Sequence, residues 1–161
     1  MERNKFIANR LREVFISGHW IANTNYKEQI ETINWMEASH KIDNINTISA
    51  LVFHINYYLV GLIKVLDGGA LDISDKYSFD EPKKKLEKDW KNRIDEFLNN
   101  AIIFANKVEQ LPDEQFDKPF VNEQYGTYLR NIEAVIEHGY YHLGQIVLIK
   151  KMIQEKQYRI K

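Results

Sequence analysis

A chain of 161 residues with 22 basic and 23 acidic side chains and a formal charge of −1 has the length of one ordinary domain. That balance gives no overall attraction to nucleic acid. The absence of cysteine excludes disulfides, cysteine nucleophiles and thiolate metal ligands. The amino-terminal run, charged at Glu2, Arg3 and Lys5, lacks the apolar stretch of a signal peptide. No run approaches about 18 apolar residues, so the sequence predicts no membrane span and a cytoplasmic protein.

Four segments carry apolar residues at spacings of three and four, the mark of amphipathic helices. The first covers about residues 3–17, with Phe6, Ile7, Leu11, Val14 and Phe15 on one face and Gly18 as a stop. The second opens after Asn46 and Thr47, carries Leu51, Ile55, Leu59 and Leu62, and stops at Gly68 and Gly69. The third covers about residues 86–110, with Trp90, Ile94, Phe97 and Val108. The fourth covers about residues 128–154, with Ile132, Val135, Ile136, Leu143, Ile146 and Ile149. Pro82, Pro112 and Pro119 all fall between these segments, where helix breakers belong. The pattern predicts one all-α domain over residues 1–161, a four-helix bundle. The first two helices are separated by roughly 28 residues, above the usual bundle loop. Connections this long permit parallel neighbours, so the expected order is up-up-down-down. They are expected to carry short structure of their own, with residues 116–125 forming a small hairpin over one end.

Five histidines occur: His19, His40, His54, His138 and His142. His138 and His142 lie four apart within a helix, on one face and close enough to share a cation. His142 falls on the inward stripe with Val135 and Ile146, and His138 beside it. His54 sits in the second helix between Leu51 and Tyr58, on the apolar face. A buried imidazole among apolar neighbours needs a polar partner. Three of them converging from two helices satisfy one another by ligating one metal. The competing reading is a set of hydrogen-bonded core histidines, because two histidines four apart also occur by chance. Other patterns fail: Gly139 stands where a zincin needs glutamate, and Glu37 with His40 is only half of a di-iron motif. The latter pair is read as part of a solvated connection.

The run Ile136-Glu137-His138-Gly139-Tyr140-Tyr141-His142-Leu143-Gly144-Gln145-Ile146 resembles the last-helix motif of the DinB-like superfamily. The run Leu51-Val52-Phe53-His54-Ile55-Asn56-Tyr57-Tyr58 resembles its second-helix histidine motif. The order of the motifs agrees, and the likeness is specific at these two segments. The resemblance implies a four-helix bundle in which His54, His138 and His142 bind a divalent metal, zinc or nickel. It also implies kinship with transferases that use small thiols such as bacillithiol or mycothiol, and a homodimer. Three protein nitrogens leave a tetrahedral ion one open position, where water or an external thiol is activated.

The remaining candidates have bland readings beside the functional ones. His19 with Trp20 reaches the bundle mouth or simply packs at the surface. Glu137 orients a ligand histidine or is a solvated flank. Gln145 bonds near the site or pairs with a neighbouring helix. Tyr57, Tyr58, Tyr140 and Tyr141 flank the histidines as core or rim aromatics. Lys83, Lys84 and Lys85 and the basic tail at 150–161 read as solvated faces, not a nucleic-acid groove. The expected function is that of a metal-dependent enzyme on a small molecule, of thiol-transferase or hydrolase type, with catalytic residues of its own unassigned. The alternatives are a non-catalytic metal-binding or stress-associated bundle, and a purely structural helical module.

Overall fold

The computed structural model describes residues 2–82 and 86–159, with side chains through residue 155. The lysine run at 83–85 and the end of the basic tail, both read above as solvated, lie outside the described residues. The described residues form six α-helices and no strand. Four are long: α1 (Arg3–Arg12), α4 (Ile48–Leu66), α5 (Glu87–Gln110) and α6 (Tyr128–Arg159). Two short ones, α2 (Tyr26–Ile30) and α3 (Trp35–Ala38), fill the first long connection.

Local chemistry sets the ends of these elements. The Asn25 side chain accepts from the Glu28 N–H to cap α2. Asn34 and Glu37 form a reciprocal capping box on α3, satisfying donors that a helix start leaves unpaired. Glu37 is therefore a cap, and His40 beyond it is exposed. The Thr47 hydroxyl accepts from the Ala50 N–H at the start of α4. Gly68, at φ 85°, ends that helix in the left-handed region, which costs glycine little. α1 does not stop at Arg12 but continues as a π turn over Glu13–Ser17.

Side-chain pairs give the helix directions. Ser49 meets Arg93, Asn56 meets Asn100, and Asp67 meets Lys107. The numbers rise together, so α4 and α5 run parallel. Asn4 reaches the carbonyl of Glu109 while Phe15 packs on Phe97, so α1 runs against α5. His54 faces His142 and Tyr58 faces His138, so α6 runs against α4. Taking α1 as up, the order is up, down, down, up. This corrects the expected up-up-down-down order. The parallel pair is the second and third long helices, joined by the 67–86 connection. Loop length showed that a parallel pair was possible but not which pair it was.

One apolar core joins all six helices. Phe15, Tyr26 and Phe97 meet with ring centroids 5.3, 5.8 and 5.2 Å apart, and all three are buried. Trp90 is buried and donates its indole N–H to the Ile33 carbonyl at 3.0 Å, which ties the first connection to α5. By length and composition α4 is apolar enough to cross a bilayer, more than run lengths suggested, but most of it is buried in the core. The hairpin expected at 116–125 shrinks to a single bridge between Pro119 and Thr127 and a 3-10 turn at Glu123–Tyr125. Pro119 has no N–H to extend a ladder.

Phe97→Ala leaves a void at the centre of the aromatic trio and is expected to cost about 3–5 kcal/mol. Urea denaturation checks it; a loss below about 1 kcal/mol would show that the trio is not central to the core.

Candidate metal centre

The three histidines singled out by spacing come together at the crossing of α4 and α6. His138 Nε2 lies 3.1 Å from His54 Nε2 and 2.8 Å from His142 Nε2. The three potential ligand atoms all lie within 4.8 Å of one another, close enough to hold a metal ion. His54 and His142 are each 6% exposed, and His138 is half-buried.

The outer nitrogens determine what the inner ones can do. His54 Nδ1 lies 3.3 Å from the Ser78 carbonyl, and His142 Nδ1 lies 2.8 Å from Gln145 Oε1. Both partners accept, so both Nδ1 atoms carry the proton, and each Nε2 presents a lone pair to the centre. A proton on His138 Nε2 can serve only one of those two lone pairs. One cation serves all three nitrogens, so the donor set fits a divalent metal. A tetrahedral ion with bonds of about 2.0–2.1 Å would set the nitrogens about 3.3 Å apart, a small change from 3.1 and 2.8 Å.

Electrostatics supports the neutral form that ligation requires. Burial, and then the neighbouring His142 and His54, push His138 down to about 4. Burial followed by His142 lowers His54, and burial lowers His142.

Both sides of the centre are built by packing. On the α6 side, a Cβ at Gly139 would stand 3.1 Å from Val14 and from Phe15 of the π turn. Glycine there lets the π turn seat against α6 directly behind His138. The buried Tyr26 hydroxyl donates to the Gly139 carbonyl at 3.0 Å. Tyr140 donates to Glu13 at 3.0 Å, and burial with that carboxylate pushes the phenol up to about 12.

On the α4 side, the connection after Gly68 folds back over His54. The Phe79 ring stacks on the imidazole at 4.0 Å and 10°. Glu81 pairs with Arg93, which is 6% exposed, and accepts from Ser49. That pair anchors the segment bearing Ser78 and Phe79. The Tyr58 hydroxyl donates to Asp75, and its phenol is pushed up to about 12 by burial and then by that bond. A cavity of about 530 Å³ opens beside His138. Its walls include Leu62, Leu71, Ile73 and Val135, with Phe120 and Tyr125 from the 116–125 segment.

The other candidates separate cleanly. Gln145 reaches His142, three residues back on the same face. Glu137 does not orient a histidine; it is exposed and pairs with Arg130 at 2.9 Å. His19 is exposed and bonds Glu28 at 2.5 Å, with Trp20 89% exposed beside it. Sequence reasoning missed Asp75, Ser78, Phe79 and Glu81. They lie in a connection without periodicity, where the one signal was the aromatic pair Tyr77 and Phe79 inside an otherwise polar segment.

With metal removed, His138 binds its proton near pH 4, against about 6.5 in an unfolded chain. Between those values the unfolded state holds more protons, so stability rises with pH and is lost as pH falls from about 6.5 toward about 4. Denaturant titrations of EDTA-treated protein across that range check it. His138→Gln should flatten the slope; an unchanged slope would assign the pH dependence to other groups.

Comparison with known proteins gives one family. No curated protein and no solved structure matches the chain. The family model described as "Protein of unknown function (DUF1572)" matches residues 24–161, from the end of the first turn region through α6. The chain belongs to that family.

Proposed function

We propose that the chain is a DinB-like four-helix bundle that holds one divalent cation, zinc or nickel, on His54, His138 and His142. In this reading it works as a metal-dependent enzyme on a small molecule, of thiol-transferase or hydrolase type. The observation that carries the reading is three neutral imidazoles pointing Nε2 at one point, beside a cavity. The motif resemblance and a family match over most of the chain agree with it. A cation with three protein nitrogens keeps an open coordination position and supplies Lewis-acid chemistry there.

The chain's own residues bind, orient and shield. Ser78 and Gln145 hold the imidazoles of His54 and His142 in the ligating tautomer. Phe79 covers His54 on one side, and Tyr58 stands edge-on to His54 and His138. The cavity beside His138 receives the substrate. The nucleophile comes from outside, as water or an external thiol, because the chain has no cysteine. A non-catalytic metal-binding protein would need the same histidines but not the cavity, and the cavity favours the enzyme.

One metal per chain is expected in protein purified without added metal or an affinity tag. His142→Ala should lose it while His19→Ala and His40→Ala keep it. Gln145→Leu should weaken metal affinity by about 10–100-fold, and Glu137→Ala should not. Elemental analysis and competitive chelation read these outcomes; equal metal content in all the variants would remove the assignment. Activity should vanish on chelation while helicity by circular dichroism persists, since apolar burial supplies most of the folding drive. Turnover undiminished in metal-free protein would end the metal-dependent reading.

A homodimer is also proposed, supported by exposed Tyr141 and Leu148 on α6 as apolar surface for a symmetric contact. Light scattering at micromolar concentration checks it, and a monomer mass removes it.

A further inference from the structure

The cavity beside His138 has a charge character that its shape does not reveal. Its walls are mainly aliphatic and aromatic, and its volume of about 530 Å³ suits a small organic molecule. Among the lining residues no lysine or arginine occurs, and the one formal charge is the carboxylate of Asp75. Two of the polar side chains there have their donors engaged. The Tyr58 hydroxyl donates to Asp75. The Asn131 amide donates to the carbonyls of Tyr125 and Thr127, at 2.8 Å each. At the rim, away from the inner end where the proposed cation would sit on His138, an anion would meet a carboxylate and neither lysine nor arginine. Like charge facing like charge is costly in a partly enclosed site, and opposite charge is favoured.

We propose that this cavity takes a small apolar molecule with a cationic amine head, which Asp75 selects over an anion of the same shape. The inference rests on reading the cavity as the substrate site of the metal centre. The apolar body lies against Leu62, Ile73 and Val135, and the ammonium group meets Asp75 at the cavity rim. A phosphate or carboxylate group that would lie at the rim is disfavoured there. The same holds for a co-substrate thiol whose free carboxylates would lie against Asp75.

The test uses three probes of one shape: 4-phenylbutylamine, 4-phenylbutan-1-ol and 4-phenylbutyrate. Each is titrated calorimetrically into the full chain, both as purified and after EDTA treatment. In the EDTA-treated chain the amine is expected to bind about tenfold or more tighter than the carboxylate, with the alcohol between them. The preference should shrink as salt rises, because Asp75 is exposed to screening. Asp75→Asn should bring the three affinities together. Tyr58→Phe removes a hydroxyl but no charge and should keep the order. Ala134→Trp fills the cavity and should abolish binding of all three. The inference is overturned if, in the EDTA-treated chain, where no cation can ligate it, the carboxylate binds as tightly as the amine, or if the preference survives Asp75→Asn. Binding indifferent to Ala134→Trp, or no binding by any probe, overturns it as well. The EDTA arm separates this inference from the metal reading. An amine preference in a chain that never acquires metal removes the metal reading alone. One metal per chain without an amine preference removes this inference alone.

Discussion

The constraint on which the site depends is the burial of imidazoles that face one another. Two of the three are almost fully enclosed, and their inner nitrogens stand within hydrogen-bonding distance of the third. Apolar surroundings disfavour protonation, and each neighbouring ring disfavours it further. The ring protons therefore sit on the outer nitrogens, where Ser78 and Gln145 accept them. Unshared lone pairs then crowd one point. A proton on His138 Nε2 can serve only one of those lone pairs, whereas one divalent cation could be held by all three nitrogens.

The fold holds this cluster from two directions. Behind α6, glycine at 139 lets the π turn of the first long helix come into contact, and the buried Tyr26 hydroxyl pins the backbone there. Across α4, the returning connection stacks Phe79 on His54 and is itself fixed by Glu81 on Arg93. A π turn is a costly irregularity that concentrates at functional sites. Here it lies one side chain away from the residues that flank His138. The rigidity of the centre thus comes from elements far apart in sequence, and the aromatic trio of Phe15, Tyr26 and Phe97 joins them to the general core.

The cavity follows from the same arrangement. Because α4 and α6 run against each other, the residues one and two turns beyond the histidines, Leu62 on one helix and Val135 and Asn131 on the other, face a common space. The connection that covers His54 and the segment at 116–125 close its sides. A cluster of three histidines, an apolar recess and one carboxylate at the rim are thereby adjacent. The second and fourth long helices oppose each other in the expected order as well; what the parallel α4 and α5 add is the returning connection that brings Asp75 to the recess.

The sequence by itself determined the four long helices and the two ends of α4, because 3.6-residue periodicity, Thr47 and Gly68 act within a few residues. The absence of cysteine excluded thiolate ligands, and helical spacing placed His138 and His142 on one face. The sequence also contained a distinction that spacing alone could draw. Gln145 lies three residues from His142 and so shares its face, whereas Glu137 is adjacent to His138 in sequence and points elsewhere. Tertiary structure decided the rest: that His54 meets the pair, that α4 runs parallel to α5, that a single bridge replaces a hairpin, and that Asp75, Ser78 and Phe79 complete the site. These contacts join residues separated by tens of positions through an irregular connection. Their geometry is fixed by how whole helices pack, which no local pattern of residues encodes.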